Sequence, residues 1–158
     1  MDERISEIYF YENERWNEIV RSYSNYDVFY LNEYVVALMN ENEKNGIPIL
    51  LHYKNKDDNA INVVFVRDIA KDVKLKDHIE GNKYYDLISP YGYGGFIGNV
   101  TDYEALNDAY NAYCIEKGYI CEFVRFELFT GYSLHYDGVV ETRTHNVVRN
   151  LAIPVDEL

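Results

Sequence analysis

Residues 101–129, TDYEALNDAYNAYCIEKGYICEFVRFELF, decide the fold because they join a helix pattern directly to a strand pattern. Thr101 and Glu104 form the pattern of a capping box, and Gly118 is placed to end the helix. Between them the apolar side chains recur at helical spacing: Leu106, Ala109, Tyr110, Tyr113 and Cys114. The run that follows is rich in residues that favour strands. We therefore expect a layered domain in which this helix packs its apolar stripe on a sheet.

Two further helices and several strands are predicted from the rest of the chain. Apolar residues repeat at helical spacing over 16–23, with Asn13 as N-cap, and over 31–39, with Gly46 as the end. Strand patterns cover 47–54, 61–67, 84–88, 119–129 and 145–153. The polar stretch 55–60 between the first two is predicted to be a hairpin loop, with Asp57 and Asp58 solvated. We expect one α/β (α+β) domain over residues 1–158, with a central mixed, mostly antiparallel sheet flanked by helices, in which 61–67 and 119–129 share one sheet.

Composition and charge restrict the classes of function. The chain has 158 residues, of which 47% are hydrophobic and 27% charged, as in a globular domain. Its net charge of -12 argues against bulk nucleic-acid binding, which needs a basic face. The two cysteines, Cys114 and Cys121, are too few for a disulfide framework, and no histidine has a metal-ligand spacing, so we expect reduced thiols and no metal. No apolar run reaches membrane-spanning length, and the expected location is the cytoplasm.

A glycine-rich stretch, SPYGYGGFIGN at residues 89–99, is the first candidate site. Glycines before a helix can expose backbone N–H groups to a phosphate, and the helix dipole favours an anion there. Glycines can equally let the chain turn so that Tyr91 and Tyr93 project over the sheet. The local sequence leaves both interpretations open.

The second candidate is the charged pair in EFVRF, residues 122–126. On a strand, Phe123 and Arg125 share one face, whereas Glu122, Val124 and Phe126 share the other. Both faces are mostly apolar, which is typical of a central strand, so its charges must be paired. Arg125 could bind a carboxylate or a phosphate, and Glu122 could act as a base; alternatively, other side chains of the fold satisfy each. We predict that Arg125 is buried, paired and close to the glycine-rich stretch.

Several stretches together resemble one protein family. They are RWNEIV (15–20), DVFYLNEYVVAL (27–38), IPILLHYK (47–54), YYDLISPYGYGGF (84–96), FVRFELF (123–129) and VVRNLAIPVDEL (147–158). In these stretches the chain resembles the N-terminal part of the FemAB-like branch of the GNAT acyltransferase superfamily, which includes peptidoglycan bridge-forming enzymes. The resemblance covers nearly the whole chain.

The resemblance implies a GNAT-like fold and an N-acyltransferase that moves an acyl or aminoacyl group to an amine. Similar proteins carry two GNAT-like halves in tandem, so the chain would be the first, acceptor-side half, and its partner a second half or another copy. The acceptor would be a small molecule or a cell-wall precursor, and the cofactor acyl-CoA. The ligand-binding residues would be Tyr91, Gly92, Tyr93, Gly94, Gly95 and Arg125, with Glu122 and Tyr93 as catalytic candidates.

Acyl-CoA binding by this half alone is expected to be weak. Ser89 stands where the family's pyrophosphate loop has Gln or Arg, and the helix starts late after the glycines. The alternative function is a GNAT-like binding or interaction module that performs no chemistry. The junction between glycine loop and helix discriminates the two, because inward-facing N–H groups favour an acyl-CoA enzyme and a closed junction favours the module.

Overall fold

A computed structural model describes residues 3–41 and 46–143, together with positions 145, 147 and 152. Within these residues the chain forms three α-helices and six β-strands. The helices are α1 (Asn13–Arg21), α2 (Asn32–Glu41) and α3 (Tyr103–Lys117). The strands are β1 (Ile5–Tyr9), β2 (Ile47–Asn55), β3 (Asp58–Asp68), β4 (Tyr85–Ile88), β5 (Ile97–Asn99) and β6 (Tyr119–Phe123). Short 3₁₀ helices lie at Val28–Tyr30, Ile69–Lys71 and Tyr132–Leu134.

The described strands form one mixed sheet in the order β1-β2-β3-β4-β6. The first four of these pair antiparallel, whereas β4 and β6 pair in parallel. The long strand β3 pairs with β5 along its first residues and with β4 along its last, so residues 89–96 connect two strands that pair with different parts of β3. The predicted mixed, mostly antiparallel sheet containing both β3 and β6 is confirmed.

Helices cover both faces of the sheet. On one face, α1 and α2 pack Trp16, Val20 and Val35 against the β2 and β3 side chains of that face. On the other face, α3 packs its predicted apolar stripe into a core that includes Leu51, Val64 and Leu87. Successive residues of β3 enter opposite cores, since strand side chains alternate between faces. The result is a three-layer α/β arrangement, with the predicted packing of the α3 stripe confirmed.

The helix ends differ in detail from the expected caps. α3 is capped by Asp102, whose carboxylate accepts from the Ala105 amide, and it ends at Gly118 with a φ of 73° as predicted. Thr101 therefore lies one residue before the cap, where its amide and hydroxyl donate to the Asp58 carboxylate. The N-cap of α1 is Glu12, and Asn13 is the first helical residue. No helix among the described residues is long and apolar enough to cross a bilayer.

The strand predictions differ from the structure at β1, at β5, in the strand 119–129 and in the hairpin between β2 and β3. β1 and β5 were not predicted, because they are short and lack a strong alternating pattern. The predicted strand 119–129 is regular only to Phe123, and among the described strands it is the outermost rather than a central one. The hairpin between β2 and β3 has only two residues outside the ladder, because Asn55 pairs with Asp58. Most of the predicted strand 145–153 lies outside the described residues.

Candidate functional site

The glycine-rich stretch follows the carboxyl end of β4 and runs beside the end of β6. The Ser89 amide donates to the Phe123 carbonyl at 3.0 Å, and the Gly94 amide donates to the Arg125 carbonyl at 2.8 Å. In return, Glu127 donates its amide to the Gly94 carbonyl at 2.9 Å. The stretch thus continues the parallel pairing of β4 and β6 in an irregular form. Its Gly94 N–H is already bound within the fold and is not offered to an anion.

Two of the glycines are required by close packing. At Gly92, with a φ of 111°, a Cβ atom would lie 2.3 Å from the Phe29 ring. At Gly94 a Cβ atom would lie 2.7 Å from the Ser89 Cβ atom. Distances under 3 Å exclude a side chain unless the neighbour moves. These glycines allow the tight turn that was one of the two interpretations of the sequence.

Two tyrosines, one in α2 and one in the turn before it, hydrogen-bond to backbone carbonyls of the glycine-rich loop. The Tyr30 hydroxyl donates to the Gly95 carbonyl at 2.8 Å in the buried core. The Tyr34 hydroxyl donates to the Tyr91 carbonyl at 2.6 Å in a solvent-exposed bond. The loop conformation is therefore set by α2 and the turn before it rather than by the loop sequence alone.

The junction between this loop and α3 is closed. Strand β5 lies between them, and the amides of Thr101 and Asp102 each donate at 3.0 Å to the Asp58 carboxylate. The Thr101 hydroxyl donates to the same carboxylate at 2.8 Å, and these bonds hold the pKa of Asp58 below its ordinary value. Asp58 is therefore buried and bound, not solvated as predicted. It occupies the position at the helix N-terminus where an external anion would need free N–H groups.

A pocket of 140 Å³ opens between the glycine loop, the end of β6 and α2; we call it the α2 pocket. Apolar side chains form most of its wall: Leu38, Phe65, Ile88, Pro90 and Phe123. Its polar groups are Ser89, Tyr91 and Arg125. The Arg125 guanidinium lies 5.9 Å from the centre of the Tyr91 ring, within range of a cation–π contact. Two of the predicted ligand-binding residues therefore converge on one pocket.

Arg125 is exposed, so the prediction that it is buried and paired was wrong. The prediction assumed a central strand, whereas β6 is the outermost of the described strands and its Phe123 is 60% exposed. Among the described residues, no carboxylate forms an ion pair with the Arg125 guanidinium. The predicted closeness to the glycine loop is confirmed, since the Arg125 amide donates to the Ser89 Oγ atom at 3.0 Å. Arg125 is thus a cation at the pocket mouth with the guanidinium open to a ligand.

Glu122 lies on the opposite face of the sheet, in a second pocket of 180 Å³ between α3 and β6 that we call the α3 pocket. One carboxylate oxygen accepts from the Tyr110 hydroxyl at 2.6 Å and the other from the Tyr136 hydroxyl at 3.0 Å. Burial raises the pKa of Glu122 above its ordinary value, although the two tyrosine bonds oppose that effect. This carboxyl therefore has the environment expected of a tuned acid or base.

A β-bulge places Glu122 in that pocket. Tyr119 pairs with Tyr85 and Glu122 pairs with Leu87, so three steps along β6 match two along β4. Without the bulge, residues three apart on a strand would face opposite sides. With it, Tyr119 and Glu122 both line the α3 pocket. The predicted placement of Glu122 on the face opposite Phe123 and Arg125 is confirmed. That Tyr119 joins Glu122 was not predictable from strand alternation, because the extra residue appears only when the register with β4 is known.

The structure divides the predicted site residues into two groups. Tyr91 and Arg125 line the α2 pocket, whereas Glu122 lines the α3 pocket. Tyr93 is partly buried and packs edge-on against Phe29 at 5.6 Å between ring centres. The sequence reasoning did not identify Leu38 as a pocket residue, because the helical spacing of α2 indicated only a core position.

Comparison with known proteins identifies no relative. No protein family, curated protein or solved structure matches the chain. Among the described residues, no group of three or more His, Cys, Asp and Glu side chains could hold a metal ion. The two pockets and the residues that line them are therefore the features that point to a function.

Proposed function

We propose that this domain is the acceptor-side half of a FemAB-like N-acyltransferase and binds an amine-bearing acceptor in the α2 pocket. The observation that carries the proposal is the position of that pocket. It lies beyond the carboxyl ends of the parallel strands β4 and β6, beside the glycine loop. In α/β sheets this is where ligands bind, because the strands end there and the loops form a crevice.

The lining of the α2 pocket favours an acceptor that carries a carboxylate. A guanidinium offers several N–H donors in a planar fork that matches a carboxylate. Arg125 forms no ion pair among the described residues, and the apolar walls beneath it would receive an aliphatic portion of the ligand. An amino acid or a short peptide with a free amine has this combination of groups.

The closed junction at α3 supports an acceptor role rather than a donor role. Asp58 accepts from the amides of Thr101 and Asp102 and so places a carboxylate directly before α3, where it would repel a CoA pyrophosphate that approached the start of this helix. On this proposal the acyl donor is held by a different part of the assembly. The same observation favours the alternative function, a non-catalytic module that binds such a ligand in the α2 pocket and performs no transfer.

Peptide binding tests the proposal. The dipeptide alanyl-alanine is titrated into the protein by calorimetry, with its C-terminal amide as the uncharged comparison. We expect the amide to bind at least about tenfold more weakly, because about 1.4 kcal/mol corresponds to a factor of ten in affinity. Arg125→Ala should remove that preference while leaving the denaturant midpoint unchanged, since its side chain is exposed. The matched control is Arg15→Ala, an exposed arginine that pairs with Glu12 outside the pocket.

Equal binding of the dipeptide and its amide, or an unchanged preference in Arg125→Ala, would contradict both functions. Acetyl-CoA supplied at millimolar concentration tests whether this chain alone transfers an acyl group. Thiol release that depends on the dipeptide supports the N-acyltransferase. Because the proposal assigns the acyl donor to a different part of the assembly, dipeptide binding without thiol release is expected of both functions.

A further inference from the structure

The α3 pocket is a second candidate site, and its argument does not depend on the proposed function. We propose that it binds a small organic ammonium ion, with Glu122 as the counter-ion at its base. The pocket lies between α3, β6 and the segment around Tyr136, on the face of the sheet opposite the α2 pocket. Nothing in the role of Arg125 or the glycine loop requires it.

The hydrogen bonds around the pocket leave acceptor capacity on Glu122, while the two tyrosine hydroxyls that face this carboxylate are committed to it. The hydroxyls of Tyr110 and Tyr136 both donate to Glu122. The Asn107 amide group donates to the His135 carbonyl at 2.6 Å, and the Asn111 amide group donates to Asp137 at 2.8 Å. A carboxylate can accept about four hydrogen bonds, and Glu122 accepts two from these side chains. A ligand that brings its own N–H donors therefore finds free acceptor capacity on the Glu122 carboxylate.

The charge and shape of the pocket favour a cation. Among the described residues, its lining includes two carboxylates, Glu122 and Asp137, and no lysine or arginine. The aromatic residues of the lining are Tyr110, Tyr119 and Tyr136, and aromatic faces attract ammonium groups. The volume of 180 Å³ exceeds the roughly 150 Å³ of an engineered cavity that holds a benzene ring. The pocket therefore accommodates an amine with an attached ring or short chain.

Because Glu122 is shielded from water, the positive charge of a bound ligand should contribute strongly to its affinity. A buried carboxylate without a counter-ion is costly, which agrees with the raised pKa of Glu122. Burial also raises the pKa of the Tyr110 and Tyr136 hydroxyls and that of the Cys114 thiol, to about 12 for Cys114. The hydroxyls and the thiol are therefore uncharged near pH 7, and Glu122 is the counter-ion that a bound cation would meet. A bound ammonium ion should favour the ionised form of Glu122, and the affinity should fall as the pH falls.

Three ring compounds of similar size test the site: cyclohexylammonium, cyclohexanol and cyclohexanecarboxylate. Each is titrated into the ¹⁵N-labelled protein, and amide chemical shifts are recorded at pH 7 and pH 5. We expect cyclohexylammonium to shift the amides of residues 107–114 and 119–122, with an affinity at least tenfold above that of cyclohexanol and with weaker binding at pH 5. Shift mapping on the unchanged protein keeps the test decisive even where a variant fails to fold.

Two variants complete the test. Glu122→Gln keeps the shape and one acceptor oxygen but removes the charge, and should weaken cyclohexylammonium binding at least tenfold. Asp108→Asn makes the same chemical change on an exposed part of α3 outside the pocket and should leave the affinity unchanged. The proposal is overturned if the amine shifts no pocket amides at millimolar concentration, if cyclohexanol or the carboxylate binds equally well, or if Glu122→Gln binds the amine as tightly as the unchanged protein.

Discussion

Replacing Tyr30 by Phe tests whether the core below the glycine loop holds that loop in place. The side chain is 1% exposed, and its hydroxyl donates to the Gly95 carbonyl at 2.8 Å. The substitution removes one oxygen atom and keeps the ring in position. It leaves the Gly95 carbonyl in the core without this donor.

The magnitude follows from the burial of that bond. A typical hydrogen bond contributes about 1 kcal/mol net, and leaving a buried partner unsatisfied costs about 1–3 kcal/mol. We expect Tyr30→Phe to lower the free energy of unfolding by about 1.5 kcal/mol. In a domain of this size that corresponds to a fall in Tm of about 3–6 °C.

Tyr34→Phe is the matched control, because its hydroxyl donates to the same loop at the Tyr91 carbonyl but in contact with solvent. Water replaces the lost donor there, so we expect a change of about 0.5 kcal/mol or less. Urea denaturation and thermal melting of both variants give the comparison. The reasoning is refuted if Tyr30→Phe costs no more than Tyr34→Phe, because burial would then not decide the value of the bond.

Three further outcomes are expected. Gly98→Ala should destabilise the fold by at least about 2 kcal/mol, since a Cβ atom would lie 2.3 Å from the Asn59 carbonyl oxygen at a φ of 148°. The control Gly118→Ala has nothing within 4 Å of the added Cβ atom and should cost only the strain of its φ of 73°. Equal losses in denaturant midpoint for the two variants would contradict the clash at Gly98. Acetyl-CoA should bind this chain with a Kd above roughly 10 μM by calorimetry, which is weaker than about -7 kcal/mol; tighter binding would show that the loop holds the cofactor despite the closed junction. Burial lowers the pKa of His52 from 6.5 to about 4, so its contribution to stability is fully present above pH 6.5 and is lost as the pH falls toward 4. Unfolding measured across that range should show a smaller loss in His52→Gln, and parallel pH profiles for the two proteins would exclude this role.

The elements set by local pattern were predictable from the sequence, because their signals lie within a few residues. The α3 stripe and its stop at Gly118 are examples, and so is the pairing of β2 with β3 across a polar turn. The same reasoning failed where distant contacts decide the outcome. β5 is three residues long and exists because it pairs with the start of β3. Asp58 is in a polar turn by sequence, and only the fold brings it to the start of α3.

The candidate site was predictable as a set of residues but not as an arrangement. The glycine loop and Arg125 were predicted to lie together, and they do, because the loop continues the pairing of β4 with β6. The exposure of Arg125 was not predictable from its apolar neighbours. Those neighbours indicated a central strand, whereas the outermost position of β6 among the described strands depends on the order of the whole sheet.

The sheet itself limits the chemistry open to this domain. Glu122 and Arg125 are three residues apart, and as strand alternation predicts, the first lines the α3 pocket and the second lines the α2 pocket on the opposite face. Glu122 and Arg125 cannot act together on one bound ligand as base and anion-binding cation, because the sheet formed by β4 and β6 separates their side chains. If the α2 pocket holds an acceptor, the base for its amine must come from the same side of the sheet or from the donor-bearing partner. Glu122 is then free for a separate ligand, and the binding of cyclohexylammonium should be insensitive to Arg125→Ala.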